Sequence, residues 1–473
     1  MDIQSLISVK RRRPSRVEES RGVVEQLASD RSRIVYSAPF RRLTKKAQVF
    51  SLESNAAVRN RITHSLEVSD IGRLISYQVT EELIRRKRLP REFQLPIIYA
   101  VENACLLHDI GNPPFGHFGE AAISDWFRQH WESYYAVSRR KKIKPSKRMT
   151  ALMQDFIQFD GNPQGLRIIL RLRRDVDQFG LNLTYTSILS SIKYVRAPSE
   201  PKWDPLTKKP GYFETEKKIV LKIKTELGLA ENARYALAYI MEAADDIAYC
   251  VSDIEDGIEK GILTDTEFFS ELRREWGNTR FPFYPQRARG KGKVDFFEFK
   301  TYYARHAVKE ASNTFVRNLD ELLAGRAPNL LREESQAGEA IECLKRVARQ
   351  RLFRSPQAEN PELAGYQIVT GLLDKLGLLL LCSEEEFMKL LQARIEPGSQ
   401  NPRGLDYQFR LVNKLPLKHV GAYQDQLQEF ESKDFPEWYL RAHLMVDFIS
   451  GMTDGFALEF YQLLDGIRLA QEW

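Results

Sequence analysis

Apolar positions recur at helical spacing along the segment from Ile62 to Arg86. The residues that carry the pattern are Ile62, Leu66, Ile71, Leu74, Ile75 and Leu83. Steps of three and four residues place side chains on one face of an α-helix. The pattern therefore predicts an amphipathic helix over 62–86 that packs against the rest of the protein through this face.

Two further segments show helical periodicity and end at recognisable stop signals. One runs from about 96 to 109 and is followed by Gly111, Pro113 and Pro114. Proline cannot continue a helix, so the helix is predicted to end there. The other segment runs from about Arg234 to Lys260, before Gly261.

Strand signals are few and short. They occur at KYV, residues 193–195, and at KKIVLKI, residues 217–223, and the second also fits a helix. The predicted fold class is therefore mostly α, with few short strands.

Stretches where Pro, Gly and charge replace periodicity predict linkers at 138–149, 196–211 and 278–295. We interpret residues 1–275 as a catalytic helical core with a basic insertion near 138–149. Residues 276–473 are then a helical C-terminal part that closes over the core and completes its pocket.

Composition indicates a water-soluble globular protein, with 43% apolar and 29% charged residues. The four cysteines form no CxxC pair, and three lie within apolar, helix-like patterns, which suits reduced thiols and a cytoplasmic location. No apolar leader opens the chain, and the longest apolar run, residues 376–382, is far shorter than a membrane span. No membrane partner is expected.

A formal charge of +7 favours anionic partners, either a polyphosphate substrate or nucleic acid. The excess gathers in basic runs at 85–88, 139–148 and 287–293. Such runs are usually solvated surface. Binding of single strands is the less favoured interpretation, because the runs lack the interleaved aromatic residues on which bases stack.

Histidine is scarce in this chain, with seven residues in all, yet three histidines fall in two short motifs. His64 lies in RITHSLEV, and His108 and His117 lie in LLHDIGNPPFGHFGE. His108 and Asp109 end a predicted helix just before a Gly-Asn-Pro-Pro stop, where neighbouring side chains can point to one place. Imidazole and carboxylate together suit Mn²⁺, Mg²⁺ or Fe²⁺.

The helix over 234–260 adds an acidic stripe. Glu242, Asp245, Tyr249 and Asp253 share one face, among apolar neighbours. Buried carboxylates need a partner, which a metal or a set of arginines can supply. Each motif alone would be unremarkable, since an HD dipeptide occurs by chance and a lone histidine is usually a hydrogen-bonded core residue. Taken together, the order of these motifs along the chain favours a metal site over these alternatives.

The order His64, His108-Asp109, Asp245 resembles the HD superfamily of metal-dependent phosphohydrolases, which is all-helical. Longer segments resemble the bacterial deoxyguanosine triphosphate triphosphohydrolases and span about residues 30 to 460. These segments are RRLTKKAQVFSLESNAAVRNRITHSLEV, CLLHDIGNPPFGHFGEAAISDWF, FDGNPQGLRII, KKPGYF, MEAADDIAYCVSDIED and DFISGMTD.

The resemblance implies hydrolysis of dGTP to deoxyguanosine and tripolyphosphate by attack of metal-activated water on the α-phosphate. It implies a divalent metal, Mn²⁺ or Mg²⁺ with Fe²⁺ as an alternative, held by His64, His108, Asp109 and Asp245. His117 would be the catalytic imidazole, oriented by Glu120.

The resemblance also implies substrate contacts. Arg61 would bind the α-phosphate, and Lys193, Tyr194 and Lys209 the outer phosphates. The sugar would contact Gln48, Val49, Tyr249 and Asp253, and the guanine would contact Arg410. Family members are commonly oligomeric, often hexamers, and some bind single-stranded DNA.

Two alternatives remain open. One is an HD phosphohydrolase that acts on other deoxynucleoside triphosphates or on a nucleoside monophosphate. The other is a single-stranded nucleic-acid-binding or regulatory protein whose HD site is vestigial. Against the second, every ligand position is filled, whereas a decayed site should have lost at least one.

Overall fold

The computed structural model describes residues 3–14, 21–140, 144–173, 177–203, 205–277, 279, 281, 295–327, 329–332, 334–396 and 402–467. These residues form a helical protein. Its first eleven α-helices are α1 Val23–Val35, α2 Ala38–Arg42, α3 Arg61–Arg85, α4 Gln94–Leu107, α5 Gly116–Ser138, α6 Lys147–Leu152, α7 Gln154–Ile157, α8 Gly161–Arg167, α9 Tyr185–Ser190, α10 Glu214–Glu226 and α11 Ala236–Glu259.

The remaining α-helices are α12 Asp265–Trp276, α13 Phe296–Arg317, α14 Leu319–Leu323, α15 Gln336–Arg351, α16 Pro356–Leu381, α17 Glu384–Ile395, α18 Asp406–Lys414, α19 Leu417–Glu429, α20 Glu437–Ser450 and α21 Asp454–Leu464. Short 3-10 helices lie at Ile3–Leu6, Leu43–Lys45, Arg91–Phe93 and Pro205–Thr207, and a π-helical turn at Ile168–Leu172 continues α8.

The mostly α fold class is confirmed, but the strand signal at 193–195 is wrong, because these residues belong to no strand. Of the two interpretations of 217–223, the helix is confirmed, since these residues lie inside α10. In the part of the chain that the structure describes, β-pairing is limited to two isolated bridges, Arg11 with Thr184 and Ala47 with Asn60. Lysine and glutamate lie among the apolar residues of α10 and are good helix formers. Their helix propensity outweighs the strand preference of the short apolar run.

Helix α3 begins where Asn60 caps it, since the Asn60 side chain accepts from the backbone N–H groups of Ile62 and Thr63. The predicted helix 62–86 agrees with the observed bounds of α3 to within one residue at each end, but the predicted buried face is only partly correct. Ile75 and Leu83 are buried, whereas Leu66 and Leu74 are 49% and 45% exposed.

The face of α3 that packs on α4, α11 and α13 instead carries small and polar residues, which are Ser65, Ser69, Gly72, Ser76 and Thr80. Three of their hydroxyls donate to backbone carbonyls four residues earlier in the same helix. These bonds satisfy the hydroxyl groups, so small polar residues can lie where helices contact each other closely. The hydrophobic periodicity of the sequence does not reveal such buried polar positions.

Helices α4 and α11 agree with the sequence prediction. Helix α4 ends at Leu107, and His108 and Asp109 fall in the turn that follows. Helix α11 keeps the stripe of Asp245, Tyr249 and Asp253 on one side. Among the predicted linkers, 196–211 holds only one short 3-10 helix, while most of 278–295 and the basic run 287–293 lie outside the described residues.

Two hydrophobic clusters form the interior. The first joins the N-terminal segment with α1, α3, α4, α9, α11, α13 and α15. The second joins α5, α6 and α7 with α16, α17 and α20. Each draws residues from both sides of position 275, and the division into two parts near that position stays a prediction.

Cys105, Cys250, Cys343 and Cys382 are all free and buried, as expected for reduced thiols. Helix α16 is long and apolar enough to cross a membrane by length and composition alone, and 50% of its most apolar stretch is buried. It packs against α5, α20 and α21, as a core helix does. The absence of a membrane partner stays a prediction.

Candidate active site

A cavity of about 850 Å³ lies where α3, the turn after α4, the start of α5 and α11 meet. Thirteen of the fifteen residues proposed from the sequence line it, which are Gln48, Val49, Arg61, His64, His108, Asp109, His117, Glu120, Lys193, Tyr194, Lys209, Asp245 and Tyr249. The exceptions are Asp253 and Arg410.

The four predicted metal ligands converge on one wall of this cavity. Ligand atoms of His64, His108 and Asp109 lie within 4.8 Å of one another. Asp245 faces them from α11, with Oδ1 3.4 Å from His64 Nε2 and 3.6 Å from His108 Nε2. Three separate segments thus bring two imidazoles and two carboxylates to one point.

Neighbouring groups orient these side chains. The Nδ1 of His108 lies 2.7 Å from the Cys105 carbonyl, so this nitrogen carries the proton and Nε2 keeps its lone pair. Asp109 accepts at Oδ1 from Asn112, at 2.6 Å, and at Oδ2 from Arg61, also at 2.6 Å. These contacts fix the orientation of the His108 ring and the Asp109 carboxylate.

A divalent cation fits this set of donors. The buried Nε2 of His108 has no hydrogen-bond partner, although polar groups are rarely left so in a protein interior. Burial opposes ionisation of Asp109, yet His108, Arg61 and His64 together lower the pKa of its carboxyl well below the usual range. Nitrogen and carboxylate oxygen donors without thiolate suit Mn²⁺, Mg²⁺ or Fe²⁺.

His117 and Glu120 form a hydrogen-bonded pair at the start of α5. Nδ1 of His117 is 2.7 Å from Oε2 of Glu120, and the other oxygen of Glu120 accepts from the backbone N–H of Gly161 at 2.8 Å. The bond to Glu120 raises the pKa of His117. With Nδ1 engaged, Nε2 of this imidazole is the nitrogen available to a ligand in the cavity.

The candidate phosphate-binding lysines already face carboxylates. Lys193 Nζ lies 3.4 Å from Oδ2 of Asp245 and 3.9 Å from Oε1 of Glu242. Lys209 Nζ lies 2.7 Å from Oδ2 of Asp160, the residue that caps α8. These ion pairs hold the ammonium groups along the cavity wall, which supplies the positive charge that a polyphosphate requires.

The candidate sugar-binding residues divide into two groups. Gln48, Val49 and Tyr249 line the cavity, and the Tyr249 ring lies 6.5 Å from that of His64, edge to face. Asp253 lies one turn further along α11, fully buried and outside the cavity lining. Neither of its oxygens has a hydrogen-bond partner, and burial raises the pKa of Asp253 to about 8.

Arg410, the predicted guanine contact, is exposed on α18 and does not line the cavity. The lining also includes residues of the C-terminal half that sequence analysis did not single out, which are Lys345, Arg349, Phe353, Glu359, Glu362 and Leu363. They belong to α15, α16 and the turn between them. Lys345 and Arg349 lie four residues apart on one face of α15. Basic residues at this spacing are frequent on helix surfaces, so the sequence alone does not identify them as part of a binding site.

Comparison with known proteins agrees with this geometry. The model of the HD domain family matches residues 61–158, which include His64, His108, Asp109, His117 and Glu120.

Two relatives match the chain along nearly its whole length. A deoxyguanosinetriphosphate triphosphohydrolase of Klebsiella pneumoniae (strain 342) is 36% identical, over 99% of this chain and 99% of its own. That of Yersinia pseudotuberculosis serotype O:3 (strain YPIII) is 34% identical, over 98% of this chain and 99% of its own. With this extent of similarity around an HD-type site, the chain belongs to the deoxyguanosinetriphosphate triphosphohydrolase family.

Proposed function

We propose that this chain hydrolyses dGTP to deoxyguanosine and tripolyphosphate. The observation that carries the proposal is the convergence of His64, His108, Asp109 and Asp245 on the wall of a cavity that also holds a histidine–glutamate pair and a row of cations. The relatives' names supply the substrate. A vestigial site is disfavoured because each ligand is present and oriented.

The metal held by these four residues is a divalent cation, with Mn²⁺ or Mg²⁺ favoured and Fe²⁺ as an alternative. When bound, it supplies Lewis acidity that polarises the α-phosphoryl group and activates water near neutral pH. The protein's part is to present the imidazole nitrogens unprotonated and the carboxylates ionised, and the contacts of His108 and Asp109 serve that purpose.

His117 is the proposed catalytic imidazole. Its hydrogen bond to Glu120 leaves Nε2 facing the cavity. From there it can donate a proton to the departing 5′ oxygen or accept one from the attacking water, and both remain open. Glu120, anchored to Gly161, keeps the ring in place and raises its basicity.

The triphosphate carries roughly four negative charges and needs several cations. We assign Arg61 to the α-phosphate, since its guanidinium group donates a hydrogen bond to Asp109 beside the candidate metal site. Lys193, Tyr194 and Lys209 line the same wall and are assigned to the outer phosphates. Gln48 and Val49 are assigned to the 3′ hydroxyl. Tyr249 and Asp253 are assigned to the ribose face, where a ring beside C2′ would exclude a ribonucleotide.

The base is proposed to lie beside the part of the cavity lining that comes from α15 and α16. The Phe353 ring offers a surface for stacking there, and Glu362 offers a carboxylate. Guanine alone presents two adjacent N–H donors, at N1 and N2, on its pairing edge, and a carboxylate can accept both. Arg410 is retained as a proposed guanine contact, although it is exposed on α18 and does not line the cavity of its own chain.

Three further features are proposed rather than established. The protein is proposed to form a homo-oligomer, with a hexamer as one candidate state. Single-stranded DNA is a candidate ligand of the basic runs, although it is the less favoured interpretation of them. A cytoplasmic location is expected because four buried free cysteines suit a reducing compartment.

The test incubates the purified chain with Mn²⁺ and each deoxynucleoside triphosphate in turn, and identifies the phosphate product. Tripolyphosphate from dGTP is expected. Pyrophosphate or orthophosphate alone would instead indicate the other class of HD phosphohydrolase. Asp109→Ala should abolish both Mn²⁺ binding and turnover, and an active Asp109→Ala variant would refute the ligand assignment.

A further inference from the structure

Two walls of the cavity come from distant parts of the chain. One is the segment of Ala47, Gln48 and Val49, and the other is the turn of Phe115 and Gly116 that leads into His117. Neither Ala47–Val49 nor Phe115 lies in a helix, although Ala47 pairs with Asn60 in an isolated bridge and Gly116 begins α5. Contacts from outside the cavity therefore contribute to holding both segments in place.

The carboxylate of Asp454 bridges these two walls. Its Oδ2 accepts from the backbone N–H of Ala47 at 3.0 Å, and its Oδ1 accepts from that of Phe115 at 3.1 Å. Asp454 is 3% exposed and opens α21, in the DFISGMTD segment. The cap of α21 is made by Thr453, which accepts from Phe456, so the Asp454 side chain does not serve its own helix in that way.

The turn at Phe115 has a particular need for such a contact. Phe115 has φ of +60° and Gly116 has φ of +55°, both in the left-handed region. A side chain such as that of phenylalanine rarely adopts this conformation unless the surroundings impose it. The bond from Phe115 N–H to Asp454 is one such constraint, and it lies two residues before His117.

Lys46 makes a second connection beside the first. Its ammonium group is buried and donates to the carbonyls of Asn112, at 2.5 Å, and Ser450, at 2.8 Å. Asn112 in turn donates to Asp109. Lys46 therefore links the Ala47 wall, the turn that carries the metal ligands and the end of α20.

We propose that Asp454 and Lys46 are a positioning pair that sets the distance between the sugar-binding wall, the catalytic imidazole and the metal turn. Neither side chain lines the cavity, so both act through the backbone they hold. The pair makes the C-terminal helices α20 and α21 part of the catalytic geometry. This inference rests on the proposed function and assigns a role to a segment that the function itself does not use.

The test variant is Asp454→Asn, whose single amide oxygen can accept from only one of the two N–H groups. Turnover of dGTP should fall by ~10- to 100-fold in kcat, because small displacements of a catalytic group are costly. The dissociation constant for Mn²⁺ should stay within about twofold, because Asp454 bonds neither to the four ligands nor to the groups that orient them. Amide hydrogen exchange should accelerate at Ala47 and Phe115.

The matched control is Glu437→Gln, at the start of α20. Glu437 is also buried, at 6% exposed, but it accepts from Tyr423 and Arg441 and contacts neither α8 nor either wall. This variant should lower the thermal midpoint while kcat, KM and exchange at Ala47 and Phe115 remain near those of wild type. A separate variant, Lys46→Met, should lower kcat as Asp454→Asn does, and it keeps the test decisive if Asp454→Asn does not fold.

Wild-type kcat and KM in both Asp454→Asn and Lys46→Met would overturn the inference while leaving the proposed function standing. The same would follow if Glu437→Gln lost kcat to the same extent, since the effect would then be one of general stability. If wild type itself releases no tripolyphosphate from dGTP, the proposed function fails. The exchange measurement at Ala47 and Phe115 still tests the positioning contact in that case.

Discussion

Two hydrogen bonds set the orientation of His117. Glu120, one helical turn away, accepts a hydrogen bond from Nδ1–H of His117 through one carboxylate oxygen, and its other oxygen accepts from the backbone N–H of Gly161. The ring is therefore oriented and made more basic by the same carboxylate. Spacing alone suggests this pair, because residues three apart on a helix are neighbours.

Substitution of this pair separates catalysis from orientation. His117→Ala should lower kcat by roughly 10²- to 10⁴-fold, the range typical for loss of a general acid or base. Glu120→Gln should lower kcat less. Because Glu120 raises the pKa of His117, its neutralisation should move the limb of the pH–rate profile that reports this imidazole to lower pH. A limb that stays in place in Glu120→Gln would contradict the assignment.

The proposed recognition of the base involves Glu362, a residue that sequence analysis did not find. Glu362 lines the cavity and is partly buried, whereas Glu359, one turn earlier on α16, also lines it but is exposed. Burial raises the pKa of Glu362 and makes the loss of a hydrogen bond there more costly.

We expect Glu362→Gln to reduce the preference for dGTP over dATP by about 1–3 kcal/mol, or roughly tenfold to a hundredfold in kcat/KM. Glu359→Gln is the matched control and should change this ratio little. The measurement is kcat/KM for each nucleotide with Mn²⁺ present. An unchanged ratio in Glu362→Gln would place the guanine contact elsewhere, with Arg410 as the next residue to substitute.

At the scale of elements, the metal turn and α8 are in contact through their backbones. A Cβ atom built on Gly111 would lie 2.1 Å from the carbonyl oxygen of Gly161 and 2.1 Å from the nitrogen of Gly165. Only glycine permits this approach, which brings the Gly161 N–H to Glu120. In the FDGNPQG segment, Gly161 thus supports the candidate site through its backbone, while Asn162 lines the cavity itself.

Gly111→Ala should therefore force α8 away from the metal turn. We expect a loss of about 1–3 kcal/mol in the free energy of unfolding, as for overpacked sites, together with reduced turnover. Gly455→Ala, within α21 and with open space around its Cβ position, should be neutral or slightly stabilising. Chemical denaturation of the two variants checks this, and equal stabilities would contradict the packing account.

At the scale of the whole molecule, buried charged and aromatic groups join α7, α8 and α10 to α20. His443 is fully buried among the rings of Phe156, Phe213 and Tyr439, with Nε2 3.6 Å from Asp155. Burial, reinforced by Arg167 and Arg171, lowers the pKa of His443 well below its usual value. Burial likewise raises the pKa of Asp155, against the hydrogen bonds that its carboxylate accepts from Tyr439 and Glu214.

This arrangement predicts a pH-dependent difference between wild type and His443→Phe. Below about pH 6.5 the unfolded chain protonates residue 443 while the folded protein does not, so wild type loses this contribution to stability as pH falls. Asp155 titrates in the opposite sense but is common to both proteins. His443→Phe should therefore gain stability relative to wild type between about pH 7 and about pH 5.

Thermal unfolding at several pH values measures this difference, with His306→Gln, at an exposed histidine of α13, as the control. A charged Asp155–His443 ion pair would give the reverse, since removal of His443 would then cost more stability as pH falls.

The sequence by itself determined the helical class and the extents of α3, α4 and α11, and its resemblance to a known family indicated the residues that meet at the candidate metal site. Periodicity, proline stops and motif order are local properties, so they can be recognised without knowledge of the fold. The tertiary structure alone decided which face of α3 is buried, that α15 and α16 close the cavity, and that Asp454 reaches Ala47 and Phe115. Those contacts join residues hundreds of positions apart, and their energies depend on packing that no local spacing encodes.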